Sequence, residues 1–157
     1  MSSAGSRDAD VSLREQSLTR TGGKYLCGIF RCGLRAGNRV ATGDLAACLD
    51  VSRASVTEMV EKFGESVLVD YERYQGATLT ADGEALARHL RWRRCVTERF
   101  FEDELDFSPD PETAYRVGFE LPEEGTNRMA EIVEHPCDRQ CSATDPDDCS
   151  KLSITPP

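Results

Sequence analysis

The stretch VATGDLAACLDVSRASVTEMVEKFG, residues 40–64, constrains the fold of this chain more than any other segment. Apolar residues recur at helical spacing on both sides of residues 50–51, which leave room only for a short turn. We predict that Thr42 caps the first of two short helices and Ser52 the second, because hydroxyl oxygens accept hydrogen bonds from free N–H groups at helix starts. Small Ala46 lies where the two helices must cross. The pattern therefore predicts a helix-turn-helix.

The outward face of the second predicted helix carries groups that suit DNA. Hydroxyls and the amides of a helix N-terminus suit phosphate oxygens, while an arginine and a carboxylate can reach base edges. An ordinary solvated helical hairpin is the alternative interpretation. The residues on this face are Ser52, Arg53, Ser55, Thr57 and Glu58.

The next stretch, VLVDYERYQGATLT, alternates and is rich in Val, Tyr and Thr. This pattern predicts two short strands, Val67–Tyr71 and Ala77–Leu79, around a turn at residues 75–76. A hairpin directly after a helix-turn-helix is a wing. We expect Arg73 and Tyr74 near its tip, where they would contact a minor groove or a phosphate.

The rest of the apolar periodicity is helical, so the chain is predicted to be mostly α. A long helix begins after Thr80, which can cap it, and ends before the Ser108-Pro109 pair. The other predicted helices are Thr21–Leu34, Pro111–Phe119 and Pro122–Val133.

Four segments follow from this organisation. They are a disordered leader (1–17), a winged helix-turn-helix DNA-binding domain (18–83), a helical dimerisation and sensor domain (84–134) and a cysteine-containing acidic tail (135–157).

Charge is distributed unevenly along the chain, whose net charge is −9. Residues 1–99 carry 15 Lys and Arg against 13 Asp and Glu, a net of +2, and residues 100–157 carry 4 against 15, a net of −11. Only the first part is thus suited to DNA. No segment approaches the roughly 20 apolar residues of a membrane span, and no secretory signal is present. We expect a cytoplasmic protein in which disulfides are not the default use of its seven cysteines.

The motifs YLCGIF, DLAACLDVSRASVTEM and YERYQGATLTADGEALA resemble the diphtheria-toxin-repressor and manganese-transport-regulator family of metal-dependent repressors. The resemblance covers about residues 20–134. It implies a homodimeric winged-helix regulator of metal homeostasis genes that binds double-stranded DNA. In this family a divalent metal such as iron or manganese favours the DNA-competent state. The resemblance also assigns base-side positions to Ser52, Ala54 and Glu58, and phosphate contacts to Ser55 and Thr57.

The metal ligands that the resemblance implies are mostly replaced in this chain. Glu98 is plainly retained, and Cys27 is a soft substitute for a glutamate. Cations that do not bind divalent ions occupy two more positions, and they could pair with Glu98 and replace the charge of the metal. The replaced positions are Lys24, Cys27, Arg94, Tyr115, Gly118 and Phe119.

The tail offers a different set of ligands in the pattern H-P-C-x₃-C-x₇-C. One imidazole (His135) and three thiols (Cys137, Cys141 and Cys149) suit a zinc ion, and thiols also hold iron–sulfur clusters. Either Cys27 or Cys95 completes such a site, or the tail binds its ion alone. A thiol redox switch and a tail without a specific role are the alternatives.

The remaining cysteines have their own predictions. Cys95 follows Arg94, whose guanidinium could make the thiol reactive, and a packed helix cysteine without a role is the alternative. Cys48 is expected to be a small residue packed in the core.

Enzyme motifs are missing from the sequence. It has no P-loop, no nucleophile elbow and no GxGxxG, and its Pro-Cys pair lacks the spacing of a zinc deaminase. The chain is therefore expected not to be an enzyme. Two alternatives to a metal- or redox-responsive regulator remain, a metal-independent winged-helix regulator and a winged helix that serves only protein–protein contact.

Overall fold

Helices dominate the chain in a computed structural model that describes residues 18–36, 39–64 and 67–144. Within these ranges there are six helices and one two-stranded sheet, so the prediction of a mostly α fold with a winged helix-turn-helix is confirmed. None of these helices is long and apolar enough to cross a bilayer. In chain order the elements are α1 (Arg20–Ala36), α2 (Thr42–Leu49), α3 (Arg53–Gly64), β1 (Val69–Glu72), β2 (Gly76–Leu79), α4 (Ala81–Leu105), α5 (Pro111–Glu120) and α6 (Glu123–Ile132).

The described chain divides into two compact units. The first runs to Ala87 and also includes the residues from Ala143 onward, and the second is Arg88–Ser142. The division falls within α4, so this helix contributes to both units. The predicted leader, residues 1–17, lies outside the described residues.

Apolar residues at helical spacing form the core of the first unit. Leu26 and Ile29 of α1, Leu45 of α2, and Val56 and Val60 of α3 are all almost fully buried. Burying one such side chain stabilises a fold by roughly 1.5–3 kcal/mol. The three helices are thus held by the apolar faces that the sequence pattern predicted.

The turn between α2 and α3 has the geometry of a helix-turn-helix. Asp50 has left-handed backbone angles (φ 55°), and the C-cap N–H donates to the carbonyl of Ala46. Ser52 accepts a hydrogen bond from the N–H of Ser55 at 3.1 Å, so the predicted cap is confirmed. These two local interactions stop one helix and start the next within a few residues.

The predicted cap at Thr42 is wrong. Thr42 is the first residue of α2, and the N-cap is Ala41, which has no side-chain cap. The reason is the β-bridge just before the helix, where Val40 and Ala77 exchange two backbone hydrogen bonds of 2.8 Å. This bridge fixes the backbone that enters α2, so no side-chain cap is needed.

The wing is an antiparallel hairpin with the register Val69↔Leu79 to Glu72↔Gly76. Its first strand begins two residues later than predicted, because the carbonyls of Val67 and Leu68 bind Thr80 at the start of α4. Gly76 has φ 104°, and a Cβ there would lie 2.2 Å from the carbonyl oxygen of Val40. Only glycine allows this turn to close against the bridge.

A disulfide joins Cys32 of α1 to Cys48 of α2. This contradicts the expectation that Cys48 is a plain core residue, and it is an exception to the expectation that disulfides are not the default use of cysteine in this chain. The guanidinium of Arg31 donates to the carbonyl of Cys48 at 3.1 Å and lies 3.4 Å from its sulfur. The pairing depends on how α1 and α2 cross, which no local pattern encodes.

Reduction of this disulfide should lower the free energy of unfolding of the first unit. The bond closes a loop with a sequence separation of 16 residues, for which loop-closure entropy predicts a loss of about 3 kcal/mol. Denaturant midpoints of the wild type with and without reductant, and of Cys48→Ser, measure the effect. Cys27→Ser removes a thiol of α1 outside the disulfide and is the control. Equal midpoints for Cys48→Ser and Cys27→Ser would contradict the prediction.

Candidate functional site

The start of α3 presents an exposed polar surface. Five of the six predicted contact residues on it are exposed to solvent, and Thr57 is half-buried. Val56 and Val60 of the same helix point into the core, so the polar face points away from it. The exposed five are Ser52, Arg53, Ala54, Ser55 and Glu58.

Contacts within the motif orient two groups on this face. The hydroxyls of Ser52 and Ser55 are hydrogen-bonded at 2.9 Å. The Arg53 side chain lies over the first turn of α2, since a Cβ built on Gly43 would be 2.7 Å from its Nη2. A side chain at position 43 would therefore displace the guanidinium. The cation is held beside the N-termini of both helices, where phosphate groups are bound favourably.

The wing carries its own cations. Tyr74 is 92% exposed with left-handed angles, and the guanidinium of Arg73 lies 5.3 Å from the centre of its ring. At the base of the wing, Arg39 pairs with Asp70 at 3.1 Å and donates to the carbonyl of Gly76. Arg73 and Tyr74 thus lie at the tip, as predicted from the sequence.

Two of the implied metal-ligand positions form an ion pair in the second unit. Nε of Arg94 lies 2.8 Å from Oε1 of Glu98, one helical turn away on α4, and both side chains are largely buried. Separating the partners of a buried pair costs about 3–5 kcal/mol, so this carboxylate is not readily available to a metal. In the first unit, the thiol of Cys27 lies 3.9 Å from the carbonyl of Ala87, and Lys24 is exposed.

A third implied ligand position has no room for a side chain. Gly118 of α5 lies against α4, and a Cβ at this position would be 2.9 Å from the carbonyl oxygen of Arg93. The Arg93 side chain donates to the carbonyls of Gly118, at 2.8 Å, and of Leu121. A ligand at position 118 would therefore have to push α5 away from α4. The residues present do not fit the hard-metal site that the resemblance implies.

Replacing Gly118 with alanine should destabilise the second unit. The new methyl group meets rigid backbone, and such overpacking costs roughly 1–3 kcal/mol. Thermal unfolding of Gly118→Ala against the wild type measures this. Gly125→Ala is the matched control, because a Cβ at Gly125 meets nothing within 4 Å. A Gly118→Ala protein as stable as Gly125→Ala would contradict the close packing of the helices.

The described part of the tail binds along α4. We call residues 135–142 the strap. Its alternate residues contact one face of the helix, which is how an extended segment matches helical spacing. The spacing of the cysteines does not by itself indicate this arrangement. The sequence does contain its two spacings, every second residue in the tail and a helical spacing in α4. The contacts are Cys95–His135, Trp92–Cys137, His89–Arg139 and Arg88–Cys141.

Three of these contacts hold the strap through its backbone. The indole N–H of Trp92 donates to the carbonyl of Cys137 at 3.1 Å, and Arg88 donates to the carbonyl of Cys141 at 2.6 Å. The N–H of Cys141 returns a bond to the carbonyl of Arg88. Trp92 is buried and stacks on His89. The sequence pattern did not predict that these α4 residues bind the tail.

The fourth contact joins two side chains. Nε2 of His135 lies 3.1 Å from the sulfur of Cys95. The predicted partner of Cys95, Arg94, is instead paired with Glu98. Burial lowers the pKa of His135, and the positive charge of Arg99 acts in the same direction. The imidazole is therefore favoured in its neutral form.

The other tail thiols are placed apart from this pair. The sulfur of Cys137 contacts the hydroxyl of Ser142 at 3.3 Å, and Cys141 is buried. In residues 18–36, 39–64 and 67–144, no three His, Cys, Asp or Glu side chains are grouped so that they could hold a metal ion. Cys149 lies outside the described residues. The metal site of the tail therefore stays a prediction.

The first unit has the fold of a winged helix-turn-helix DNA-binding domain. Residues 17–77 match the family model of the iron dependent repressor, N-terminal DNA binding domain. The HTH-type transcriptional regulator MntR of Oceanobacillus iheyensis is 40% identical over 58 residues, which are 37% of this chain and 40% of the relative. MntR of Shouchella clausii is 41% identical over 59 residues, 38% of this chain and 41% of the relative. This part of the chain, residues 17–77, is therefore similar to the DNA-binding domain of iron-dependent repressors and to the MntR regulators.

Solved structures extend the likeness beyond this domain. The manganese regulator SloR is 25% identical with a TM-score of 0.63, over 73% of this chain and 54% of that one. IdeR of T. acidophilum has a TM-score of 0.64 at 19% identity, over 78% of this chain and 57% of that one, and shows the fold alone. This chain matches about two fifths of the length of the MntR relatives and about half of these structures.

Proposed function

We propose that the chain is a transcriptional regulator that binds double-stranded DNA through the start of α3 and the wing. The observation that carries this is the exposed polar face of α3 within a domain similar to the DNA-binding domain of iron-dependent repressors. Hydroxyls, a positioned guanidinium and a carboxylate are there together. The predicted contacts are Ser52, Arg53, Ala54, Ser55, Thr57 and Glu58 of the helix-turn-helix, and Arg73 and Tyr74 of the wing.

The relatives give this proposal its biological setting. Their printed names are those of transcriptional and manganese regulators, so metal homeostasis genes are the proposed targets. The site of action would be the cytoplasm, where bacterial and archaeal chromosomes lie.

Removal of Arg53 should weaken DNA binding and make it less sensitive to salt. Each phosphate contact releases counterions, so losing one lowers the slope of log K against log salt by about 1. Fluorescence anisotropy across a salt series, with labelled duplexes of several different sequences, measures the affinity, its salt dependence and the sequence preference. A preserved slope with relaxed sequence preference would assign Arg53 to a base instead.

Arg128→Ala is the control for this experiment. It removes the same charge from an exposed position on α6, where Arg128 pairs with Glu124. We expect it to bind like the wild type. If Arg53→Ala and Arg128→Ala behave alike, Arg53 is not at the interface. If the wild type does not bind duplex DNA at low salt, the chain is a protein-interaction module and not a DNA-binding regulator.

We propose further that sensing has moved from hard ligands to thiols. The ion pair of Arg94 with Glu98 and the closed position at Gly118 support this, because neither leaves an oxygen ligand for Mn²⁺ or Fe²⁺. A softer ion such as zinc, or an iron–sulfur cluster, would use sulfur. The predicted ligands are the thiols of Cys137, Cys141 and Cys149, with His135, Cys27 and Cys95 as further candidates.

Protein purified without air should contain zinc or iron, and the paired change Cys137→Ser with Cys149→Ser should remove it. Serine is preferable to truncation, because the strap backbone is bonded to α4 and its loss would damage the fold. Elemental analysis and DNA affinity with and without a chelator are the measurements. Cys27→Ser, made separately, shows whether this further candidate also contributes a ligand. A metal-free wild type whose DNA affinity does not change with iron, zinc or oxidant would refute the proposal.

A second candidate function is a metal-independent regulator in which Arg94 replaces the charge of the ion. The buried pair with Glu98 favours it. This candidate predicts DNA binding that chelators do not change but that Glu98→Gln abolishes. Glu124→Gln breaks an exposed ion pair of the same spacing and is the matched control. If both variants lose DNA binding, the loss is not specific to the Glu98 ion pair. If neither variant loses it, the metal-independent regulator is excluded.

The second unit is proposed to mediate a homodimer. Three large apolar side chains are more than half exposed on it: Leu105, Phe107 and Ile132. Replacing Leu105 and Phe107 together with glutamate should convert a dimer into a monomer, since charged groups are costly in a buried interface. Sedimentation equilibrium measures the mass, and Val67→Glu, an exposed apolar residue of the first unit, is the control. A wild-type monomer at micromolar concentration would contradict the proposal.

A further inference from the structure

Cys95 and His135 are 40 residues apart in the sequence, yet their side chains are in contact. The contact pairs a nucleophilic thiol with a basic imidazole ring. Neither side chain is at a position that the resemblance assigns to a metal or to DNA. Both are half-buried, so a small molecule can reach them and bulk solvent is partly excluded. The pair lies where the strap begins on α4.

The hydrogen bonds of His135 determine where its proton lies. The backbone N–H of Cys137 points at Nδ1 at a distance of 3.1 Å. A backbone N–H always carries its hydrogen, so Nδ1 must accept and cannot itself be protonated. The carbonyl of Cys137 lies farther from the same nitrogen, at 3.3 Å, and is not its partner in this tautomer. In the neutral ring the hydrogen is therefore on Nε2.

The consequence is an N–H donor directed at sulfur. Nε2 lies 3.1 Å from Sγ of Cys95, so the sulfur accepts the hydrogen bond. A thiolate is a much stronger acceptor than a thiol, and this geometry stabilises the anionic form. The cation of Arg99, one helical turn from Cys95, is close enough to act on His135. An adjacent positive charge favours the thiolate further.

We propose that Cys95 is a peroxide-reactive thiol whose reactivity depends on His135. The thiolate sulfur attacks one oxygen of a small hydroperoxide. An S–O bond forms, the O–O bond breaks, and the leaving hydroxide takes a proton from solvent. The sulfur is oxidised to sulfenic acid and hydrogen peroxide is reduced to water. The step balances, because one thiolate, one hydrogen peroxide and one proton give one sulfenic acid and one water molecule.

Oxidation at this sulfur would act on the strap. A sulfenic oxygen adds bulk between Sγ and Nε2, which are 3.1 Å apart. The first of the four contacts that hold the strap would be lost, while the three backbone contacts remain. This deepens the proposed thiol sensing, because it names the reagent class and the thiol.

Full-length protein treated with hydrogen peroxide and a dione that traps sulfenic acids tests the proposal. Peptide mass spectrometry gives the labelling rate of each thiol. Cys95 should react at least about tenfold faster than Cys27 on α1, the factor expected from a hydrogen bond to a charged group. A mixed disulfide that contains Cys95 would count as the same oxidation. Equal rates at Cys95 and Cys27 would overturn the proposal without any variant.

Two substitutions test the role of His135. His135→Phe keeps a ring but removes the N–H, and the Cys95 rate should fall to that of Cys27. His135→Gln offers an amide N–H and should restore part of the rate. His89→Gln is the matched control, because His89 binds the strap at the carbonyl of Arg139 and not at a thiol.

The outcomes separate chemistry from structure. An unchanged rate in His135→Phe, or an equal loss in His89→Gln, would overturn the role of the imidazole. The readout is on the sulfur and not on DNA. If Cys95 reacts fast but the protein does not bind DNA, only the proposed regulatory function is refuted.

Discussion

The second unit depends on the close contact of α4 with α5. The buried guanidinium of Arg93 donates to the carbonyls of Gly118 and Leu121 at the end of α5. The last carbonyls of a helix lack partners within it, and the partial negative charge of a helix end attracts a cation. Glycine at 118 lets the backbones approach, since any Cβ would meet the carbonyl of Arg93. One arginine and one missing methyl group thus fix how the helices pack.

This contact also closes a position at which the resemblance implies a metal ligand. A glutamate at position 118 cannot be accommodated while α5 packs on Arg93, and Arg94 pairs with Glu98. The guanidinium provides a positive charge but no open coordination position, so it can neutralise the carboxylate without reporting the concentration of an ion. We therefore place the proposed response to a signal on the thiols of α4 and the strap.

The strap gives those thiols different surroundings. Three contacts bind its backbone, and only the fourth, between Cys95 and His135, joins two side chains. Changes at the Cys95 sulfur therefore reach the strap directly. In the first unit, the Cys32–Cys48 disulfide ties α1 to the first helix of the DNA-binding motif. The first unit thus contains a disulfide, whereas Cys95, Cys137 and Cys141 of the second unit are thiols.

The sequence by itself determined the winged helix-turn-helix, the mostly α second unit and the exposed polar face of α3. Periodicity, the cap at Ser52 and the wing turn are local signals over a few residues, and they were sufficient for these elements. Local signals were wrong at Thr42, where a bridge to Ala77 replaces the cap, and at Cys48, where a disulfide replaces simple packing. Only the tertiary structure decided the partners of Cys48, Cys95 and Gly118. These depend on how helices cross and where the strap returns, and residues 16 to 40 positions apart meet there for reasons that no single segment contains.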